Sequence, residues 1–222
     1  MATKKSQRIG IWVIAIVLFV GTIGSFAVII LANENSAKDS KRAQDMQEEY
    51  SKKYQEYTEA VKKQADELSV KHYPTLSQYV SRVGEFNLDS VKELSKVDLV
   101  IGSGTEITAD TSYAAYYVGW NPKGKIFDQS IAGGKLKAPL PVTASSGLIA
   151  GWKEGVKGMK IGGIREITIP SDQAYGEKGQ GDDIPPNTPL KFIVMAIDPP
   201  VTIAEPEMPK EMLKLLYGGA QL

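Results

Sequence analysis

Trp152 is the residue around which chemistry could be built. It lies in Leu148-Ile149-Ala150-Gly151-Trp152-Lys153-Glu154-Gly155-Val156, a run that reads as a short helix. Each glycine inside a helix costs about 1 kcal/mol relative to alanine. The four-residue spacing of Gly151 and Gly155 puts both on one face. Such a stripe of small residues lets a sheet approach the helix closely while the indole projects beside it. Trp152 is therefore expected to form the floor of an apolar cleft. The chain has no cysteine, which excludes disulfides, thiolate metal sites and a cysteine nucleophile. Its single histidine, His72, sits in a charged segment far along the chain from Trp152, so neither a Ser-His-Asp triad nor a two-histidine metal site is expected within one chain. An enzyme built on this cleft would work without the commonest general base at neutral pH, and no metal or cofactor is expected. Gly176-x-x-Gly179-x-Gly181 superficially resembles a phosphate loop, but it has no following Lys-Ser/Thr and leads into prolines rather than a helix. Formal net charge is zero, so no global field points to nucleic acid.

The elements that would hold Trp152 follow from pattern. After Gly162-Gly163 comes an alternating strand, with Ile164, Glu166 and Thr168 on one face and Arg165, Ile167 and Ile169 on the other. Upstream, Val97 to Ile101 is strand-like and meets a Gly102-Ser103-Gly104 turn. Ala114 to Trp120 is an aromatic-rich strand, closed by an Asn121-Pro122-Lys123-Gly124 turn. Ile126-Phe127-Asp128, a glycine-rich loop and Pro139 to Val142 follow. Beyond the Glu177–Asp183 loop, Ile184-Pro185-Pro186 leads to a last strand from Leu190 to Ile197, and Pro199-Pro200 ends it. Many strands and one short helix predict an α+β fold, an antiparallel sheet curled over a helix.

With 222 residues there is room for one ordinary domain plus appendages. Residues 1–8 hold Lys4, Lys5 and Arg8 and read as a cytoplasmic tail. Residues 9–32 carry no charge and are mostly aliphatic, enough to cross a hydrocarbon core of about 30 Å as a helix. Trp12 lies near one end, where an aromatic anchor belongs. The alternative is a cleaved signal peptide, whose apolar core is normally about 7–15 residues long. The longer run and the poor cleavage site at Ile30-Leu31-Ala32 favour a transmembrane anchor. The basic tail then puts everything after Ala32 outside the cytoplasm, a single-pass protein of the cell membrane, although Lys38, Lys41 and Arg42 lie close on the other side.

Residues 33–74 are polar, with no glycine and helix formers in the majority, and read as a long helix that the Tyr73-Pro74 step should end. Tyr50, Tyr54, Tyr57, Val61 and Leu68 make a narrow apolar stripe. Two readings fit it: a coiled-coil homodimer through 33–72, or a single helix serving as a spacer. Gln64 interrupts the seam and tyrosine is an unusual seam residue, which favours the spacer. Residues 75–92 are amphipathic and are expected to pack on the domain that follows. Residues 200–222 form a tail with a short amphipathic helix carrying Met208, Met212, Leu213, Leu215 and Leu216.

Tyr117-x-Gly119-Trp120, Lys125-Ile126-Phe127-Asp128, Leu148-Ile149-x-Gly151-Trp152-x-x-Gly155-Val156, Met159-x-x-Gly162, Ala174-Tyr175-Gly176 and Ile184-Pro185-Pro186-x-x-x-Leu190-x-Phe192 occur in that order. Together they resemble an FKBP-type peptidyl-prolyl cis-trans isomerase over residues 93–199. The family fold is a curved antiparallel sheet wrapped around a short helix. The resemblance implies that Trp152 is the floor of a proline pocket, with Tyr117, Phe127 and Phe192 as apolar walls and Leu148 and Ile149 at the rim. It makes Asp128 the pocket's acidic member. It makes the Ile149 N–H and the Tyr175 hydroxyl donors to a bound peptide, and it puts Ile184 on a loop overhanging the site. Leu140 stands near a place where the family often has an aromatic, which thins one wall. Asp182 and Asp183 stand where the family loop is often apolar, so a preference for basic or polar peptides is expected.

The implied substrates are X-Pro segments of polypeptides, and the implied role is to assist folding of exported or surface proteins. The alternative is a non-catalytic module that binds proline-containing or unfolded segments. Isomerisation of an X-Pro bond crosses a barrier of roughly 20 kcal/mol set by amide resonance, and unassisted it takes tens to hundreds of seconds or so. No proton transfer is needed, in keeping with a site that has neither histidine nor cysteine.

Overall fold

The structure, a computed structural model, describes residues 36–217. The predicted tail 1–8 and transmembrane anchor 9–32 lie outside the described residues. Among those described, no helix is long and apolar enough to cross a membrane. The chain divides into two compact units, one formed by residues 63–201 and the other by the segments before and after them.

In the larger unit, the sheet is built from β1 (Ser95–Val100), β2 (Tyr113–Trp120), β3 (Ile126–Gln129), β6 (Leu140–Val142), β7 (Ile164–Ile169) and β8 (Leu190–Ile197). Its order is β1-β7-β8-β2-β3, with β6 also on β2, and every pairing is antiparallel. β8 takes one edge of β2 along Ala114 to Trp120. The other edge is shared, with β6 opposite Tyr113 to Ala115 and β3 opposite Val118 to Trp120. A small hairpin of β4 (Ile131–Ala132) and β5 (Lys135–Leu136) turns between β3 and β6.

One face of the sheet packs on a short helix, Ala150–Val156. It contributes Leu190, Phe192, Val194 and Ala196 from β8 and Ile167 and Ile169 from β7 to a core that also holds Trp152. The two helix glycines make this approach possible. A Cβ on Gly151 would run into Ile169 Cγ2, and one on Gly155 would lie 2.6 Å from Ile167 Cγ2. The helix's last carbonyls are taken by Arg165, whose Nη1 donates to Gly155 O at 3.0 Å and Lys157 O at 3.1 Å. The same guanidinium reaches Asp98 on β1 through Nε at 2.7 Å and Nη2 at 3.1 Å. The Arg165-Ile167-Ile169 face thus meets the helix along its whole length.

The opposite face is also covered. Tyr116, Trp120, Ile164, Ile193, Met195 and Ile197 form a second core with Leu76, and Leu68, Tyr73, Tyr79, Val83 and Phe86 pack against it. Strands buried on both faces read as continuous apolar runs, which is why β2 and β8 carry so few polar residues. Trp120 Nε1 donates to Gly84 O at 3.1 Å, and Arg82 Nε meets Glu166 Oε2 at 2.6 Å.

This second core corrects the reading of residues 33–74 as a spacer ended by Pro74. The polar helix α1 runs Ser36–Ser77, with Pro74 inside it. A proline there removes one helical hydrogen bond. The last turn persists because Leu76 is fully buried against the sheet and because Ser77 Oγ and Gln78 Nε2 both donate to Pro74 O, at 3.4 and 2.9 Å. Ser69 and Asp66 on the same helix hold the β4–β5 hairpin. Leu136 N donates to Ser69 Oγ at 2.8 Å, and Lys135 Nζ donates to Asp66 Oδ1 at 3.3 Å. The end of α1 is thus a wall of the domain. In chain order the short helix Ala150–Val156 is α2, and the tail helix Lys210–Tyr217 is α3.

In the smaller unit, Tyr50, Tyr54 and Tyr57 meet in sequence along α1 with tilted rings, centroids 6.1 and 5.7 Å apart. Burial raises the pKa of Tyr50 and Tyr54, and the nearby Glu205 carboxylate of the tail adds to this. Ala43 on α1 and Met212 on α3 are both buried. The chain's own tail therefore shares the surface that a coiled-coil partner would use.

Candidate active site

Trp152 lies in α2 with its indole 3% exposed. Its ring meets Tyr117 edge-on, centroids 5.3 Å apart at 90°, and Phe192 at 5.2 Å and 80°. Phe127 closes on Phe192 at 5.5 Å and 83°. Near-perpendicular contacts at these separations suit aromatic quadrupoles. The four rings come from four elements: β2, β3, α2 and β8. What permits their convergence is Gly119 on β2. A Cβ there would stand 2.6 Å from Phe192 Cε1 and 2.8 Å from Phe127 Cζ. A glycine inside a strand is a sequence signal for such close approach.

A polar edge adjoins the rings. The Tyr117 hydroxyl donates to Asp128 Oδ2 at 2.6 Å, a charge-assisted bond of the strong kind. Burial first, then this bond and the Asp128 charge, push the Tyr117 pKa far above the ordinary tyrosine value. Asp128 Oδ1 accepts from Gln129 N at 2.8 Å, which fixes the carboxylate. Tyr175 is also raised, chiefly by burial and then by the nearby Asp128 carboxylate. The β2 and β3 strands are registered here by Ser130. Tyr117 N donates to Ser130 Oγ at 2.9 Å, and Ser130 N returns a bond to Tyr117 O at 2.8 Å.

Leu140, Leu148, Ile149 and Tyr175 are half-buried against the same core. Ile149 is the N-cap of α2, and its carbonyl accepts from Trp152 N at 3.1 Å and Lys153 N at 3.3 Å. Its own N–H has no hydrogen-bond partner among the described residues. Ile184 lies on the loop before β8. It is 3% exposed and belongs to the same core as Trp152 and Phe192. On the same loop, Lys125 Nζ lies 2.5 Å from the Asp183 carboxylate. Of the two loop carboxylates read from the sequence, Asp183 is thereby offset.

A family model for FKBP-type peptidyl-prolyl cis-trans isomerase matches residues 89–197. An FK506-binding protein of Neisseria meningitidis serogroup A is 42% identical over 98 residues, covering 44% of this chain and 87% of that protein. A probable FK506-binding protein of Corynebacterium glutamicum is 40% identical over 98 residues, covering 44% of this chain and 79% of that protein. The chain belongs to the FKBP-type peptidyl-prolyl cis-trans isomerase family. A crystal structure of a peptidyl-prolyl cis-trans isomerase from Pseudomonas syringae pv. tomato is 31% identical, covers 55% of this chain and 87% of that chain, and has a TM-score of 0.41.

The isomerase has neighbours of the aromatic group that motif reading did not single out. Tyr113 accepts a hydrogen bond from Trp152 Nε1 at 3.1 Å. The signal for it was available, since Tyr113, Ala115 and Tyr117 share one face of β2 by the two-residue period. Ser130 was missed, and Gly119 and Asn121 were named only as members of a motif and a turn. No local pattern could show that Asn121 Nδ2 reaches Asp183 O, 62 positions away.

Proposed function

We propose that the prolyl ring of an X-Pro segment enters against Trp152, between Tyr117, Phe127 and Phe192, and that the amide twists there. The observation that carries this reading is the perpendicular aromatic group on Trp152, bordered by the Tyr117–Asp128 hydrogen bond. A planar amide is charge-separated by resonance, and the twisted amide much less so. An apolar surround therefore favours the twisted form relative to water. Side chains that grip the ring only in that geometry bind the transition state preferentially. About 7 kcal/mol of such preference gives roughly a 10⁵-fold acceleration. The Ile149 N–H and the Tyr175 hydroxyl would donate to peptide carbonyls on either side of the proline. Asp128 would hold the Tyr117 hydroxyl turned towards itself, so that the ring edge stays fixed. Leu140 and Leu148 would line the entry.

Because Lys125 offsets Asp183 and leaves Asp182, we expect at most a weak preference of the loop for basic residues before proline. We further propose that residues 9–32 anchor the protein in a membrane and that the isomerase domain serves exported or surface proteins. The length and uncharged composition of that segment support the anchor. For residues 33–72, the burial of Ala43 and Met212 within one chain favours a single helix over a homodimer. Sedimentation of the full chain in detergent reads that directly.

The experiment for the site is isomerisation of short X-Pro peptides by the full chain and by Trp152→Ala, scanning X. Acceleration that falls at least tenfold or so in the variant supports the assignment. An unchanged rate in a folded variant removes it.

A further inference from the structure

Asn121 is a buried polar residue, 6% exposed, in the turn between β2 and β3. All of its hydrogen-bonding groups are directed. Its Oδ1 accepts from Lys123 N at 3.0 Å and Lys125 N at 3.1 Å, which builds the turn. Its backbone N donates to Lys125 O at 3.0 Å. Two N–H donors on one side fix the amide's orientation, so the Nδ2 group must point away from the turn. It donates to Asp183 O at 2.8 Å, across 62 positions of sequence. Lys125, four residues on, reaches the same residue through its carboxylate at 2.5 Å. One turn therefore holds Asp183 by both its main chain and its side chain.

Asp183 belongs to a closed loop. Asn187 N donates to Gly176 O at 2.8 Å at the loop's neck, and Gln180 N donates to Ile184 O at 2.7 Å within it. Tyr175 immediately precedes this neck, and Ile184 buries the loop's far side in the core. The turn holding Asp183 opens directly into β3, which carries Phe127 and Asp128. These two parts of the site, distant in sequence, are thus joined by Asn121 and Lys125.

We propose that Asn121 is a positioning residue for the isomerase reaction, fixing the 176–187 loop and the Tyr175 hydroxyl relative to Phe127 and Asp128 on β3. This rests on Tyr175 contacting the substrate, as argued above. Asn121→Asp separates the turn from the loop, because it keeps an acceptor for the Lys123 and Lys125 N–H groups and loses only the donor to Asp183 O. A carboxylate there would face a carbonyl.

The test is a double-mutant cycle on the full chain, reading kcat/KM for an X-Pro peptide in wild type, Asn121→Asp, Tyr175→Phe and the double variant. Groups coupled through one network give non-additive effects. Asn121→Asp should lower kcat/KM about tenfold alone, and by less than about threefold when Tyr175 is already Phe. Equal losses in both backgrounds overturn the proposal, as does wild-type activity in a folded Asn121→Asp protein. An inert Tyr175→Phe removes the site assignment itself and the proposal with it, an outcome distinct from additivity. If Asn121→Asp does not fold, Lys125→Met removes the other, exposed limb. In its cycle with Tyr175→Phe, a smaller loss in the Phe background supports the proposal and equal losses overturn it.

Discussion

The indole N–H of Trp152 donates to the Tyr113 hydroxyl at 3.1 Å, in a core where both residues are no more than 3% exposed. The bond ties the centre of the aromatic group to β2. A buried indole N–H without an acceptor costs about 1–3 kcal/mol. Tyr113→Phe should therefore lower the unfolding free energy by that amount while keeping the ring packing. Urea unfolding measures the loss, and the Trp152 indole proton should shift in the NMR spectrum. A variant as stable as wild type with an unmoved indole resonance would show that the bond carries no weight.

Gly119 leaves room for two aromatic rings. Gly119→Ala introduces a methyl 2.6 Å from Phe192 and 2.8 Å from Phe127. Overpacking of this kind costs roughly 1–3 kcal/mol. Because both displaced rings belong to the proposed proline site, kcat/KM should fall as well. Stability and isomerisation measured on the same preparation check the pair, and loss of stability with full activity would contradict it.

The Tyr117 hydroxyl keeps its proton through the alkaline range, since burial and the Asp128 carboxylate both favour the neutral phenol. Tyr175 is shifted the same way by burial and Asp128. Isomerase activity should therefore show no falling limb at or below the ordinary tyrosine pKa of about 10. A pH profile of kcat/KM across the alkaline range reads this, and an inflection near 9 or so, lost in Tyr117→Phe, would refute it.

His72 lies against Tyr116, ring centroids 5.9 Å apart and the planes tilted by 43°. Burial, then the neighbouring Lys71, lowers its pKa below the ordinary imidazole value. The unfolded chain thus binds the proton more readily than the folded one. The stabilising contribution is complete above about pH 6.5 and is lost as pH falls from there through the folded-state pKa. Wild type should lose more stability than His72→Gln between about pH 7.5 and 5.5. Parallel curves for the two proteins would rule out this contribution.

Leu76 is fully buried against the sheet face opposite α2. Leu76→Ala should cost roughly 2–5 kcal/mol. A fragment starting at residue 88 should be far less stable than one starting at 63, because it would bare Tyr116, Trp120, Ile193 and Met195. Thermal unfolding of the two fragments decides whether the end of α1 belongs to the domain.

Much of the sheet and α2 could be read from local pattern. Period-two alternation marked β7 and put Arg165, Ile167 and Ile169 on one face, which the folded chain turns towards the helix. Gly151 and Gly155 signalled the close approach to that face. The aromatic and glycine motifs pointed to the residues now found around Trp152. These features are legible because each depends on spacing along a single element. The second core was legible only in part: residues 75–92 were expected to pack on the domain, and Leu76, Tyr79, Val83 and Phe86 do so, but nothing local shows that Leu68 and Tyr73 of the polar helix join them opposite Tyr116 and Trp120. Pro74 misled for the same reason, since a helix end set by burial of Leu76 outweighs one lost hydrogen bond. Ile184's burial and the Lys125–Asp183 pair likewise depend on which loops the fold brings together. Residue order alone was enough for the elements, their faces and the chemistry available to them. Which faces are covered, which charges are offset and how Asn121 joins two loops came from the folded chain, because those are contacts between residues that no local period relates.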